Sequence, residues 1–145
     1  MEEKIPNGSK KIILVGVLMG FAMAITGAIL NSVFGFILPQ LQREYTGNSM
    51  FRPWSDPLMS LIFVVPFLLG IIFAILWQKH KNMLPGKTAY AKVMKLLMLY
   101  FSFSLIGMII TYSTFTISLL MVCVWIVQEF LQLVIGAWIL SKMIK

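Results

Sequence analysis

Cysteine is almost missing from this chain. The lone Cys123 excludes an internal disulfide, a redox cysteine pair and a cysteine-based metal cluster, and its place inside an apolar run reads as a packed free thiol. Histidine is as scarce: His80 lies between Lys79 and Lys81, which reads as a solvated loop position, and no metal site is proposed. Charged residues make up 12% of the chain, too few to cover a soluble domain of this size, whereas 59% of residues are hydrophobic. A net charge of +7 would suit a nucleic-acid binder, but such proteins present exposed polar surface. Here apolar runs fill most of the chain, so nucleic acid is not expected as a partner. There is no Ser/His/Asp or Cys/His set, no pair of intramembrane carboxylates and no phosphate loop, since Gly86 and Lys87 lack the upstream glycine and strand of that motif. An enzyme acting on lipid is therefore the weakest functional class, and no cofactor is expected.

What the chain does have is hydrocarbon-length apolar sequence. Four runs, at roughly 12–38, 57–78, 93–111 and 117–140, predict an all-α fold: a single transmembrane domain over 1–145 built as a four-transmembrane-helix bundle. The mean hydropathy of +0.90 agrees. Residues 1–11 show no apolar periodicity and read as a disordered lead, and the first run is far too long for a signal-peptide core, so it is retained as a span.

Lysine and arginine set the expected orientation. Ten lie at the N-terminus, between the second and third spans and at the C-terminus, against Arg43 and Arg52 between the first and second. The positive-inside rule then places a multi-pass protein in the cell membrane with both termini cytoplasmic. The basic loop from Lys79 to Lys95 is explained by topology, and it also suits anionic lipid headgroups as a partner beside the lipid bilayer itself.

Along the first span Gly16, Gly20, Ala24, Ala28 and Ser32 put a small residue at every fourth position, a helix-packing seam for the bundle itself or for a homo-oligomer. Pro39 is expected to end that span, leaving a turn-rich loop to Asp56 whose aromatics, Tyr45 and Trp54, anchor at the headgroups while Arg43 and Glu44 face water. In the second span Ser55 or Asp56 caps the start, Pro57 takes the first helical position, and Pro66 is expected to kink the helix.

The fourth span carries Gln128, Glu129 and Gln132 near its middle. An ionised acid there costs roughly 2.5–3.5 kcal/mol on insertion scales, so the residue must face protein or water. At about 1.5 Å per residue, Thr26, Asn31, Ser102, Ser104, Gln128 and Glu129 all fall at similar depth, and together with Gln132 they form the candidate polar-cluster or proton/ion site. On the fourth helix Trp125, Gln128, Glu129, Gln132 and Gly136 share one face, expected to meet the polar face of the third from Tyr100 to Thr111. Two readings compete: a non-enzymatic structural or interaction bundle in which Glu129 is hydrogen-bonded glue, and a small proton- or cation-coupled transporter or channel that uses it. In length and span number the chain resembles the small multidrug resistance transporters; those carry their membrane carboxylate in the first helix and this chain has it in the fourth, so no residue is carried over.

Overall fold

The computed structural model describes residues 7–47, 51–53 and 55–144. Trp54 and the first six residues of the expected lead lie outside them. Among the described residues the chain is helical with no strand, and four of its helical stretches are long and apolar enough to cross a membrane.

The first helix, α1, spans Asn7–Ile37, so residues 7–11 extend the span instead of belonging to a disordered lead. Its 31 residues measure about 46 Å at 1.5 Å each, longer than a ~30 Å hydrocarbon layer, and lysines occupy the overhang. Pro39 does not open a loop. It begins a nine-residue helix, α2, Pro39–Gly47, because a proline ends the preceding helix yet suits the first turn of the next.

The second apolar run divides in two. A 3₁₀ helix covers Pro57–Phe63 and α3 covers Val65–His80. A continuous α-helix would need an N–H at Pro66 and would drive its ring into the carbonyl of Ile62, so the helix restarts with Pro66 in its first turn. The expected kink is thus a full break in helix type. Asp56 caps the 3₁₀ helix as its sequence suggests: the carboxylate accepts from Leu58 N at 2.9 Å and from Arg52 at 2.7 Å, and these bonds hold its pKa below the ordinary carboxylate value.

The third and fourth spans are α4, Ala89–Thr114, and α5, Leu119–Met143, each longer than its apolar run and each opened by a hydroxyl cap, Thr88 to Ala91 N and Ser118 to Met121 N, both at 3.1 Å. His80 closes α3 as a half-buried residue whose Nδ1 donates to Leu76 O at 2.9 Å, so it is part of a helix end and not a solvated loop position.

The helices alternate in direction. Ser104 meets Glu129 and Phe101 meets Phe130, a nearly constant sum of numbers that makes α4 and α5 antiparallel neighbours. Gly16 and Gly20 meet Ile71 and Phe67 in the same way, and Gly136 meets Met19, so α1 lies between α3 and α5. Towards the termini the bundle closes over a core of Met19, Phe73, Trp77, Leu97, Leu133 and Leu140, and the Trp77 indole N–H donates to Ile144 O at 3.0 Å. At the opposite end a second cluster forms where Leu41 of α2 packs on Ile117, Met121 and Val124. Cys123 is exposed on α5 instead of packed.

Candidate functional site

The small-residue seam of α1 has two halves with different surroundings. A Cβ added at Gly16 would lie 2.5 Å from Ile71 Cα, one added at Gly20 would lie 2.6 Å from Phe67 Cα, and one added at Gly70 would strike the Gly16 carbonyl. Backbone therefore rests on backbone here, as small residues permit. Further along, Ala24 is half-buried and Ala28 and Ser32 are exposed, with the Ser32 hydroxyl turned back to Ala28 O at 2.9 Å. Because α3 begins only at Val65, among the described residues no α-helix backbone rests on this half as α3 rests on the first.

The polar residues expected in one layer fall into two groups. Glu129, half-buried on α5, receives the Ser104 hydroxyl at 2.5 Å, and the Tyr100 hydroxyl lies against the same carboxyl. This is a tie between α4 and α5. Asn31, Gln128 and Gln132 sit instead between α1 and α5, where Gln132 packs over Gly27, whose added Cβ would stand 3.0 Å from the amide nitrogen. Ser102 joins neither group; it is exposed on α4 with its hydroxyl spent on Met98 O at 2.9 Å. Thr26 is half-buried on α1 and comes together with none of the others. The shared face of α5 is correspondingly split: Glu129 turns to α4, Gln128 and Gln132 turn to α1, and Gly136 packs on Met19. Successive residues on a helix are 100° apart, so Gln128 and Glu129 serve different neighbours.

Two cavities adjoin the three carboxamides. One, of about 150 Å³, lies under α2 and is lined by Asn31, Gln42, Tyr45, Thr46 and Gln128 among others. The other, of about 400 Å³, runs along the uncovered half of α1 between Met23, Phe63, Pro66 and Gln132. Both share Asn31, Tyr45, Trp125 and Gln128, and Glu129 lines neither.

Contacts that sequence reasoning did not supply hold this end together. The Glu44 carboxylate accepts from Ser118 N and from Ser118 Oγ, both at 2.6 Å, so Glu44 fastens α2 to the start of α5 and does not simply face water. The Trp125 indole N–H donates to the Tyr45 hydroxyl, and Phe51 completes the aromatic cluster with its ring 5.1 Å from Tyr45 and 6.4 Å from Trp125. Burial raises the Tyr45 pKa above the usual tyrosine value, Trp125 opposes that rise, and Glu44 adds to it. The Ser-118 cap and the acid at 44 carry sequence signals only as separate residues; nothing in a one-dimensional reading pairs them.

At the terminal end a further cavity of about 400 Å³ is lined by Lys81, Lys87, Thr88 and Lys92, the last donating to Lys81 O at 3.3 Å. Among the described residues no group of three or more histidine, cysteine or acidic side chains is placed to hold a metal. No protein-family model, curated protein or solved structure matches this chain.

Proposed function

We propose that the chain is a non-enzymatic structural or interaction bundle of the cell membrane, in which Glu129 serves as a hydrogen-bonded tie between α4 and α5. The observation that carries this reading is the 2.5 Å contact from Ser104 to Glu129, with Tyr100 at the same carboxyl and neither amide-lined cavity reaching it. An intramembrane acid on an ion pathway needs access to water or to a mobile cation. A carboxyl engaged by two hydroxyls of a neighbouring helix is suited to holding that helix.

The orientation that goes with this function has both termini in the cytoplasm. Ten lysines and arginines against two in the sequence support it, and among the described residues Lys10, Lys79, Lys92 and Lys142 lie at the bundle end opposite Arg43 and Arg52. The cavity among Lys81, Lys87 and Lys92 then lies at the cytoplasmic headgroups, where anionic lipid is attracted at about 1 kcal/mol per lysine.

Glu129→Gln and Glu129→Leu separate the tie from proton-coupled transport. Glutamine keeps a hydrogen-bonding oxygen and should leave thermal stability in detergent close to wild type; leucine strands the Ser104 and Tyr100 hydroxyls and should cost about 1–3 kcal/mol. Proteoliposomes with an imposed pH gradient provide the second measurement. Wild-type flux that Glu129→Gln abolishes in a stably folded protein would overturn the structural role in favour of transport.

A further inference from the structure

Three carboxamides at membrane depth without partners present a physical problem. Among the described residues, the side chains of Asn31, Gln128 and Gln132 make no hydrogen bond, although each lies within a helix apolar enough to cross the bilayer. Each unsatisfied amide in hydrocarbon costs several kilocalories per mole, so groups retained there are ones that something satisfies. Asn31 and Gln128 line both of the adjoining cavities, and Gln132 lines the larger.

Those cavities differ in character. The smaller, beneath α2, gathers Gln42, Tyr45 and Thr46 with Asn31 and Gln128, whereas the larger is walled mainly by apolar side chains, including Met23, Ile62, Phe63 and Pro66. Among their lining residues none is charged. The larger also lies where the 3₁₀ helix replaces α3 and Ala28 and Asn31 of α1 are left exposed, so it opens sideways towards the surrounding hydrocarbon. Its 400 Å³ falls within the roughly 300–1,000 Å³ of ordinary ligand pockets.

From this geometry we infer that the paired cavities are a binding site for a neutral single-chain amphiphile drawn laterally from the bilayer, its hydrogen-bonding head among Asn31, Gln42 and Gln128 and its chain along Met23, Phe63 and Pro66. Neutrality follows from walls that offer donors and acceptors but no counter-charge, since an ionic head at this depth would go uncompensated. Carboxamides both donate and accept, so hydroxyl and ester-carbonyl heads suit them equally. The site is independent of the Glu129 tie: it faces α1, and the tie faces α4.

A monoacylglycerol with a photoreactive acyl chain, added to the protein in phosphatidylcholine nanodiscs, tests the site through peptide mapping of the adducts. Adducts are expected to concentrate in 23–31, 62–66 and 125–132, and excess unlabelled monoacylglycerol should displace them while octadecene and a long-chain alkylammonium do not. Asn31→Leu combined with Gln128→Leu should weaken that competition about tenfold or more, on the order expected for losing one or two hydrogen bonds. Ala28→Phe, which fills the groove at an exposed position, should abolish the labelling without touching the amides, with thermal unfolding confirming that both variants fold. Adducts spread evenly onto lipid-facing positions such as Ile106 and Ile110 would overturn the proposal. So would displacement by octadecene as effective as by monoacylglycerol, or labelling unchanged in the folded variants.

Discussion

Glu44 and Ser118 are 74 residues apart, yet both carboxylate oxygens of the first are spent on the second. Ser118 already caps α5 by accepting from Met121 N, and an acid placed beside that helix start also meets the positive end of its dipole. The pair thereby does two jobs: it completes the α5 N-terminus and fixes α2 over the smaller cavity. Glu44→Ala should cost about 1–2 kcal/mol, the range of a lost cap with its dipole contribution, and Glu44→Gln should recover part of it. Thermal unfolding reads the cost, and hydrogen exchange should show α2 losing protection before the spans do. Unchanged exchange across 39–47 in Glu44→Ala would mean that α2 is held by Leu41 and the Tyr45, Phe51 and Trp125 rings alone.

At the scale of elements, the α1–α3 contact determines how the bundle closes and where it stays open. Gly16 and Gly20 admit the α3 backbone at Gly70, and the break before Pro66 then carries the chain away from Ala24 and Ala28. Close packing and groove are two halves of one seam. Gly70→Ala has nowhere to put its methyl except against the Gly16 carbonyl, so the helices must part, with a cost on the order of 3 kcal/mol at the upper end of overpacking. Ala28→Leu, at an exposed position of the same seam, should cost little. Melting temperatures of the two variants in one detergent check the contrast, and equal losses would show that the seam is covered along its whole length.

For the whole molecule, the described lysines collect at the end where α1 begins and α5 finishes, and Arg43 and Arg52 lie at the other. If insertion follows that asymmetry, α2 and the smaller cavity lie on the outer side and the lysine-lined cavity at the inner headgroups. A C-terminal reporter that works only in the cytoplasm should be active, and one that works only outside should be silent. The reverse pattern would invert the molecule and place the lysine-lined cavity against the outer leaflet.

The four long apolar helices were legible in the chain alone, because runs of some twenty apolar residues have few alternatives to a helix, and a cap such as Asp56 acts on a neighbour two residues away. Local chemistry also ends α1 at Pro39, but the helix that follows is not legible there because proline both stops one helix and starts another. Pro66 marks the place of the break in the sequence but not its degree. What only the tertiary structure decided is which polar side chains meet. A shared depth put Thr26, Asn31, Ser102, Ser104, Gln128 and Glu129 in one layer, yet depth is one coordinate of three. Rotation about each axis sent Glu129 to Ser104, Gln128 and Gln132 to α1, and Ser102 outward. That rotation is set by where backbones come closest, at Gly16, Gly20 and Gly70, and by the Met19 side chain resting on Gly136, and the helix against which each glycine rests follows from packing the whole bundle.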